Sequence, residues 1–487
     1  MHMSFNTHKP KISCTSFFLI IRIRMSSSWE EMPRPEGKRL HVAMFPGLAT
    51  GHMTPFLHLA NELAKRGHKV SYLLTKKAKI QLECGNLYPD VVTFHVLPVP
   101  HVEGLPPGTE NASEIPIFLN SLFALAFDNM SDQVEAALSD LNPDVVLYDT
   151  AFRITDFAPK IGFKTVCYNV VSAASIALAL VPARQMPKDR PLTEEELMEP
   201  PPGYPSSSVV LRKHEAKVLA FMSSEFGART FYDRIITALK GCHAIAIRSC
   251  QELEGQFCDY IGGQYQKPVF LSGPVLPEQE KQPLDGKWAE WLGKFEQKSV
   301  VFCAFGSQII LEKQQFQELV LGFELTGLPF FVALKPPLGT GSIEESLPDG
   351  FEERVGGRGV VYGGWVQQPQ ILSHPSVGCF VNHCGFGSMW ESLMSDCQIV
   401  LVPHLGDQIL NSRLLCGDLK VAVEVERDES GWFSKESLSS AINAVMGPDS
   451  EVGSSLRKSH LKVKEILSSP GYMSNYVESF IQNLYEL

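Results

Sequence analysis

The sequence predicts an α/β protein made of two doubly wound domains that face each other across a cleft. Two observations carry this. The chain has 487 residues, 44% hydrophobic and 20% charged, a globular composition on a length that exceeds one ordinary core, so two domains of roughly 200 residues each are expected. An alternation of apolar strand, glycine-bearing turn and helix begins near residue 40 and restarts near residue 299, and such alternation specifies parallel sheets covered by helices.

In the first domain, residues 40–45 are an apolar run that ends in Pro46-Gly47. After Leu48-Ala49-Thr50-Gly51-His52, the pair Thr54-Pro55 reads as a cap and a proline at a helix start. Phe56, Leu59, Ala60 and Leu63 follow at helical spacing until Gly67 stops the helix. A second strand over 69–74 completes a β-α-β unit, and 144–148 and 164–169 are later strands of that sheet. In the second domain, a strand over 299–305, a Gly306-Ser307 turn and a helix over 312–325 are followed by strands at 330–335, 359–362, 377–381 and 399–403. The boundaries expected are 38–272 and 286–468, with a linker over 273–285 and a final helix in 469–487 that returns to the N-terminal domain. A ligand belongs where the carboxyl ends of the strands face each other. The Pro- and Gly-rich stretches 98–116 and 200–208 are expected to wall an acceptor pocket.

A net charge of −11, with no basic block, argues against a nucleic acid or an anionic membrane as partner, since both need clustered Lys and Arg. The eleven cysteines show no metal-ligand spacing and read as reduced thiols of a cytoplasmic protein. The sequons at Asn111 and Asn129 carry little weight without a secretory route. Residues 16–21 are apolar, but they are too short to span a bilayer and Arg22 interrupts them. The first 24 residues contain no acid, so translation is expected to start at Met25 and residues 1–37 to be a non-functional extension; a transit peptide is the alternative.

Residues 365–408 are the most informative stretch. A strand delivers Asn382-His383, Cys384-Gly385 form a turn, and a helix starts near Gly387-Ser388. A helix N-terminus built of small residues turns backbone N–H groups and the positive end of its dipole toward a diphosphate. His383 and Ser388 supply side-chain donors, and Glu391 sits one turn on, placed to accept from a ribose. Trp365 offers a stacking face for uracil, and Asp407-Gln408 a carboxylate and an amide that match sugar hydroxyls. Singly these are weak signals: a lone His is more often structural, and Trp390 beside Met389 is a core pair.

Together they resemble the signature box of the plant family 1 UDP-glycosyltransferases, with Trp365 at its start, His383-Cys384-Gly385 inside, Ser388 and Glu391 following and Asp407-Gln408 at its end. The resemblance runs from about His41 to the C-terminus. It implies the GT-B fold, a UDP-sugar as co-substrate, inverting transfer, no metal and a monomer. It assigns uracil stacking to Trp365, base or ribose contacts to Val366 and Gln368, phosphate contacts to His383 and Ser388, ribose to Glu391 and donor-sugar hydroxyls to Asp407 and Gln408. Gly306-Ser307 matches a second phosphate-contacting turn, and Gly51, Gly385, Phe386 and Gly387 complete the expected donor set. Three positions depart from the common pattern: Gln367 replaces Pro, and Phe386-Gly387 replace Trp-Asn. The Phe-Gly version, with 102–113, 200–208 and 254–260, resembles a subgroup that adds a sugar to a sugar already on a flavonoid, the flavonoid 3-O-glycoside 2''-O-glycosyltransferases. The acceptor implied is an anthocyanin or flavonol glycoside, and the donor UDP-glucose, UDP-xylose or UDP-rhamnose.

Inverting transfer needs a base for the acceptor hydroxyl, and a neutral imidazole suits it. His52 stands at the exit of the first strand. Asp149 ends the strand at 144–148 on the same edge, placed to orient the ring and stabilise the imidazolium, and the family's His-Asp dyad maps onto this pair. His41, His58, His95 and His101 sit on no glycine-bearing turn. No Asp-x-Asp pair occurs, so the leaving diphosphate must be met by His383, Ser388, backbone N–H groups and the helix end. Two other classes share the architecture: a sugar-nucleotide isomerase, which needs no acceptor pocket, and a silent sugar-nucleotide binder, which needs neither His52 nor Asp149.

Overall fold

The computed structural model describes residues 39–187, 189–277 and 283–487. Residues 1–38, with the expected start at Met25, and residues 278–282 of the expected linker lie outside the described residues. Leu40–Leu487 is one compact unit that holds two parallel sheets.

The first sheet is laid down by β1 (His41–Phe45), β2 (Lys69–Leu74), β3 (Val92–Val96), β4 (Val145–Tyr148) and β5 (Lys164–Asn169). A short antiparallel hairpin, β6 (Glu225–Phe226) and β7 (Arg229–Thr230), then precedes β8 (Ala244–Ile247) and β9 (Val269–Leu271). The sheet order is β3-β2-β1-β4-β5-β8-β9. The second sheet contains β10 (Val300–Ala304), β11 (Phe330–Ala333), β12 (Gly359–Tyr362), β13 (Val377–Asn382), β14 (Gln398–Leu401) and β15 (Ala422–Glu424), in the order β12-β11-β10-β13-β14-β15. In each sheet the order reverses beside the first strand, at β1/β4 and at β10/β13. Those two reversals open the crevices in which a doubly wound sheet binds ligands.

Strand periodicity accounts for the layering. Val301, Cys303 and Phe305 enter the core on one face of the second sheet, while Val300, Phe302 and Ala304 enter the core on the other, as side chains alternating along a strand must. The strands expected at 330–335 and 399–403 stop at Ala333 and Leu401, because Pro336, Pro337 and Pro403 carry no N–H to continue a ladder. The first helix is the larger correction. It spans Thr50–Lys65 with Ala49 as its extended N-cap, not a start at Thr54-Pro55. His52 N and Met53 N both bond the Ala49 carbonyl, each at 2.9 Å, so the helix is under way before Pro55, which lies inside it and offers the Gly51 carbonyl no donor.

The first core also takes in Phe386, Met389, Trp390, Ile409 and Leu410 from the second half of the chain, so the two sheets meet through buried apolar surface. The last helix, Tyr472–Tyr485, packs against the first sheet: Tyr472 and Tyr476 hydroxyls donate to Glu252 at 2.5 and 2.8 Å, and Arg66 bonds Glu478 at 2.5 Å. Among the described residues, no helix is long and apolar enough to cross a membrane.

Candidate active site

Parallel pairing of β1 with β4 sets Phe45 against Tyr148, so the residues that leave these strands emerge side by side. Asp149 follows Tyr148, and one of its oxygens accepts the backbone N–H groups of Gly47 at 2.6 Å and Thr150 at 2.5 Å. A Cβ on Gly47 would stand 3.0 Å from Thr150 Oγ1 and 3.2 Å from Asp149 Oδ1, so a side chain there would push on both neighbours, which glycine does not. The other oxygen takes His52 Nδ1 at 2.5 Å. A carboxylate on Nδ1 fixes the proton there and leaves the lone pair on Nε2. Asp149 is 5% exposed, whereas His52 keeps 31% of its side chain open. Burial lowers the His52 pKa, but the charge and hydrogen bond of Asp149, with a smaller contribution from Asp407, raise it above its ordinary value. The ring is a base that is held in one tautomer and whose charged form is stabilised.

This pair borders a cavity of about 800 Å³, within the range of small-molecule sites. Most of its wall is apolar and comes from the first lobe: Phe123 and Phe127 of the helix Asn120–Asp128, Ala179 and Leu180, and Leu219 and Met222. Ile117 and Phe118, 63% and 76% exposed, also line it. The second lobe contributes Gln308, His404, Leu405, Gly406, Asp407 and Leu410. Of the stretch 98–116 only Ala112 reaches the cavity, and of 200–208 nothing does. Instead Tyr204 packs on Phe257 and Tyr260, and the Ser208 hydroxyl donates to Asp418. The walls were missed because residues 117–127 border no glycine-bearing turn and the Gly227 turn inside 218–235 joins strands of only two residues each; the one local signal was Asn120-Ser121 ahead of the apolar run 122–127.

The donor segment is organised around a strained turn. Cys384 is left-handed, φ 58°, a conformation rare for a side-chain-bearing residue. Asn382 Oδ1 accepts Cys384 N at 2.8 Å and Asn411 Nδ2 donates to the Cys384 carbonyl at 2.9 Å. These two asparagines, of which the sequence alone places only Asn382, and with no role, hold the turn so that Gly385 caps the helix Phe386–Met394. His383 lies between two glycines: a Cβ on Gly306 would be 3.0 Å from its Cε1, and one on Gly385 2.6 Å from its Nε2. Burial drives its pKa down to about 4, so the ring is neutral. Ser388 is half-buried in the first turn of that helix, while Gly387 and Ser307 are exposed.

Trp365 is 83% exposed, with its face free for a ligand, and Val366 is partly buried beside it. Gln368 Nε2 donates to Glu391, so these two candidates for base and ribose meet each other. Burial raises the Glu391 pKa, against the Gln368 bond and the Arg248 charge. Gly51 sits in the first turn of the Thr50–Lys65 helix with open space about it. Two expectations change. Phe386 is buried edge-on to Trp390 at 5.8 Å, so its ring belongs to the core and only its backbone faces a donor. Gln408 Oε1 accepts His404 N and Leu405 N, both at 3.1 Å, so the carbonyl end of its amide is spent on the loop ahead of the helix. Asp407 lines the cavity; burial raises its pKa, while Asn411 Nδ2 at 3.3 Å and the charge of His52 lower it. Gln367 instead ties down the chain ahead of the second sheet, accepting Asp285 N at 2.6 Å and donating to the Pro283 carbonyl at 3.2 Å. Among the described residues, no three His, Cys, Asp or Glu side chains gather as a metal would need.

Comparison with known proteins adds to this geometry. A family described as glycosyltransferase, N-terminal domain, matches residues 38–277, and one described as UDP-glucoronosyl and UDP-glucosyl transferase matches residues 348–462. The chain is 57% identical over 458 residues to an Arabidopsis thaliana anthocyanidin 3-O-glucoside 2'''-O-xylosyltransferase, covering 93% of this chain and 98% of that one. It is 54% identical over 453 residues to UDP-glycosyltransferase 79B6 of the same plant, with the same coverage. A crystal structure of Arabidopsis thaliana UGT89C1 complexed with UDP-L-rhamnose superposes with a TM-score of 0.73 at 23% identity, covering 92% of this chain and all of that one.

Proposed function

Because the chain belongs to the plant UDP-glycosyltransferase family, we propose that it transfers a sugar from a UDP-sugar, with inversion, to a flavonoid 3-O-glycoside, at the 2-hydroxyl of the first sugar. The single observation that carries the chemistry is the His52–Asp149 pair at the wall of a cavity that Asp407 enters from the other lobe. The acceptor class is supported by the 57% identity to an anthocyanidin 3-O-glucoside xylosyltransferase. An apolar cavity with exposed Ile117 and Phe118 at its rim suits an acceptor with a flat aromatic end.

His52 Nε2 takes the proton of the acceptor hydroxyl as that oxygen attacks the anomeric carbon, and Asp149 stabilises the imidazolium that forms. The bond from the anomeric carbon to the diphosphate breaks on the opposite face, so the configuration inverts. Charge on the departing UDP is met by the N-terminal N–H groups of the helix Phe386–Met394, by Ser388 and by neutral His383. Trp365 stacks on uracil, Val366 flanks it, Gln368 and Glu391 hold the ribose, Gly306-Ser307 close over the phosphates, and Asp407 with Gln408 Nε2 reads the donor sugar. No metal takes part. Buried free thiols such as Cys167, Cys303 and Cys379 suit a cytoplasmic protein, and the proposed enzyme acts as a monomer.

The test is a matrix of UDP-glucose, UDP-xylose and UDP-rhamnose against cyanidin, cyanidin 3-glucoside and a flavonol 3-glucoside, read by product mass. One sugar is expected to add to the glycosides and none to cyanidin. Product from the aglycone alone would overturn the acceptor assignment.

A further inference from the structure

The stretch 200–216 does not wall the cavity, and what it does instead has a consequence for the donor. It leaves the first lobe and runs along the second. Ser208 donates to Asp418, Arg212 Nη1 bonds Glu424 at 3.0 Å, and Glu215 accepts from the Arg413 guanidinium. The other arm of Arg413 donates to Glu424, which also accepts Ser412 Oγ at 2.5 Å. Arg413, Glu215 and Glu424 are 8%, 4% and 6% exposed. Two arginines and two glutamates thus form a cluster that joins the lobes, with His214 Nε2 3.7 Å from Glu215 and the charge of Arg427 acting on it, and its centre is buried. A buried pair of this kind specifies an arrangement more than it adds stability.

The two ends of this cluster are what give it meaning. Arg413 is the last residue of the helix Gly406–Arg413, whose first turn carries Asp407 and Gln408. That helix packs on Ala173–Ala179 of the first lobe, and Ser175 and Ala179 face the cavity from there. Glu215 stands two residues before the 3-10 helix Lys217–Ser223, whose Val218, Leu219, Phe221 and Met222 line the same cavity. Glu215 itself does not line it. One ion pair therefore links the acceptor wall to the helix that presents the donor-sugar contacts.

We propose that Glu215 is a positioning residue for the donor sugar: through Arg413 it holds the Asp407–Gln408 helix in register with the acceptor wall. This rests on the donor roles given above. Exchanging Glu215 for glutamine leaves Arg413 paired with Glu424 inside its own lobe and leaves Ser208–Asp418 and Arg212–Glu424 joining the lobes, so the fold survives while the charged link from Arg413 to Glu215 is lost. UDP and the matching UDP-sugar are titrated into wild type and Glu215→Gln by calorimetry. Because Trp365, His383 and Glu391 lie on other elements, UDP affinity is expected to stay within about twofold, while UDP-sugar affinity falls about tenfold, a coupling of ordinary size. Glu215→Asp, which keeps the charge, is expected to recover part of the loss, and it serves with the same readouts if Glu215→Gln does not fold. Arg212→Gln, at a half-exposed pair, is expected to change neither. Equal effects on UDP and UDP-sugar, or no effect on either, would overturn the proposal. A wild type that binds no UDP-sugar would instead sink the donor assignment, and this proposal with it.

Discussion

Exchange of Asp149 for asparagine tests the site at its hinge. In the native protein one carboxylate oxygen serves two backbone donors, Gly47 N at 2.6 Å and Thr150 N at 2.5 Å, and the other serves His52 Nδ1 at 2.5 Å. An amide of the same shape has one oxygen, and the two fixed N–H groups claim it. Its NH2 then faces His52, where it needs an acceptor, so the imidazole changes tautomer and carries its proton on Nε2. The lone pair that must take the acceptor's proton is gone. Loss of a charge-assisted hydrogen bond alone is worth about 1.5–3 kcal/mol, but the wrong tautomer removes the base as well, and the equivalent exchange in a serine protease costs about 10⁴ in kcat. A fall in kcat of about 10³ to 10⁴ is therefore expected, or roughly 4 to 5.5 kcal/mol at 1.36 per decade. Single-turnover product formation measures it, with UDP titration as control, since Asp149 touches no part of the donor segment. A kcat within about tenfold of wild type would refute the tautomer argument; so would a matching loss of UDP affinity, which would mean that the fold had moved.

The other expectations are simpler. His52→Ala lowers turnover by about a hundredfold or more, measured as kcat at saturating donor and acceptor. In wild type, kcat/KM falls as pH drops through the raised pKa of His52; Asp407→Asn removes one of the charges that raise it, so the acid limb moves to lower pH as donor-sugar binding weakens. On the proposed site, where protein donors meet the diphosphate, EDTA is expected to leave the rate unchanged, and loss that magnesium restores would count against this. Glu254 is fully buried, accepting Ser249 Oγ at 2.6 Å and Ala174 N at 3.1 Å, and burial raises its pKa to about 7 from 4.5. The native state holds that proton through this window while the unfolded chain loses it, so stability declines as pH rises from 4.5 to about 7. Glu254→Gln is expected to recover roughly 3 kcal/mol at pH 8, seen as a melting curve that no longer falls with pH.

Legibility in the sequence followed the range of the forces involved. The strands at 69–74, 164–169 and 359–362 were readable to the residue, because β-rich apolar runs and turn residues act locally. His52 and Asp149 were readable because each leaves the carboxyl end of such a strand. That the two strands are neighbours is a matter of sheet order, which periodicity does not encode. The helix at Thr50 was placed late because its start depends on backbone bonds to Ala49 beside a turn that Asp149 fixes from a distant part of the chain. The cavity walls were misplaced for the same reason: 200–208 has the composition of a pocket loop, and only its contacts with Tyr260 and Asp418 show it to be part of a clasp between the lobes. Asn382 and Asn411 look like ordinary polar residues until the left-handed turn at Cys384 gives them a task.

That turn also accounts for the departure at Phe386-Gly387. The proposed pyrophosphate end of the site is built from backbone: Asn382 and Asn411 fix Cys384, Gly385 caps the helix, and the N–H groups of its first turn are left without partners inside the helix whatever side chains follow. The position after the cap is then free to serve packing, and Phe386 does so, its ring buried against Trp390 in the core shared by the two lobes. Gly387 has open space where a Cβ would stand, so nothing inside the protein demands a glycine there. The candidate donor-sugar contacts Asp407 and Gln408 sit instead on the Gly406–Arg413 helix, which packs against Ala173–Ala179 of the first lobe.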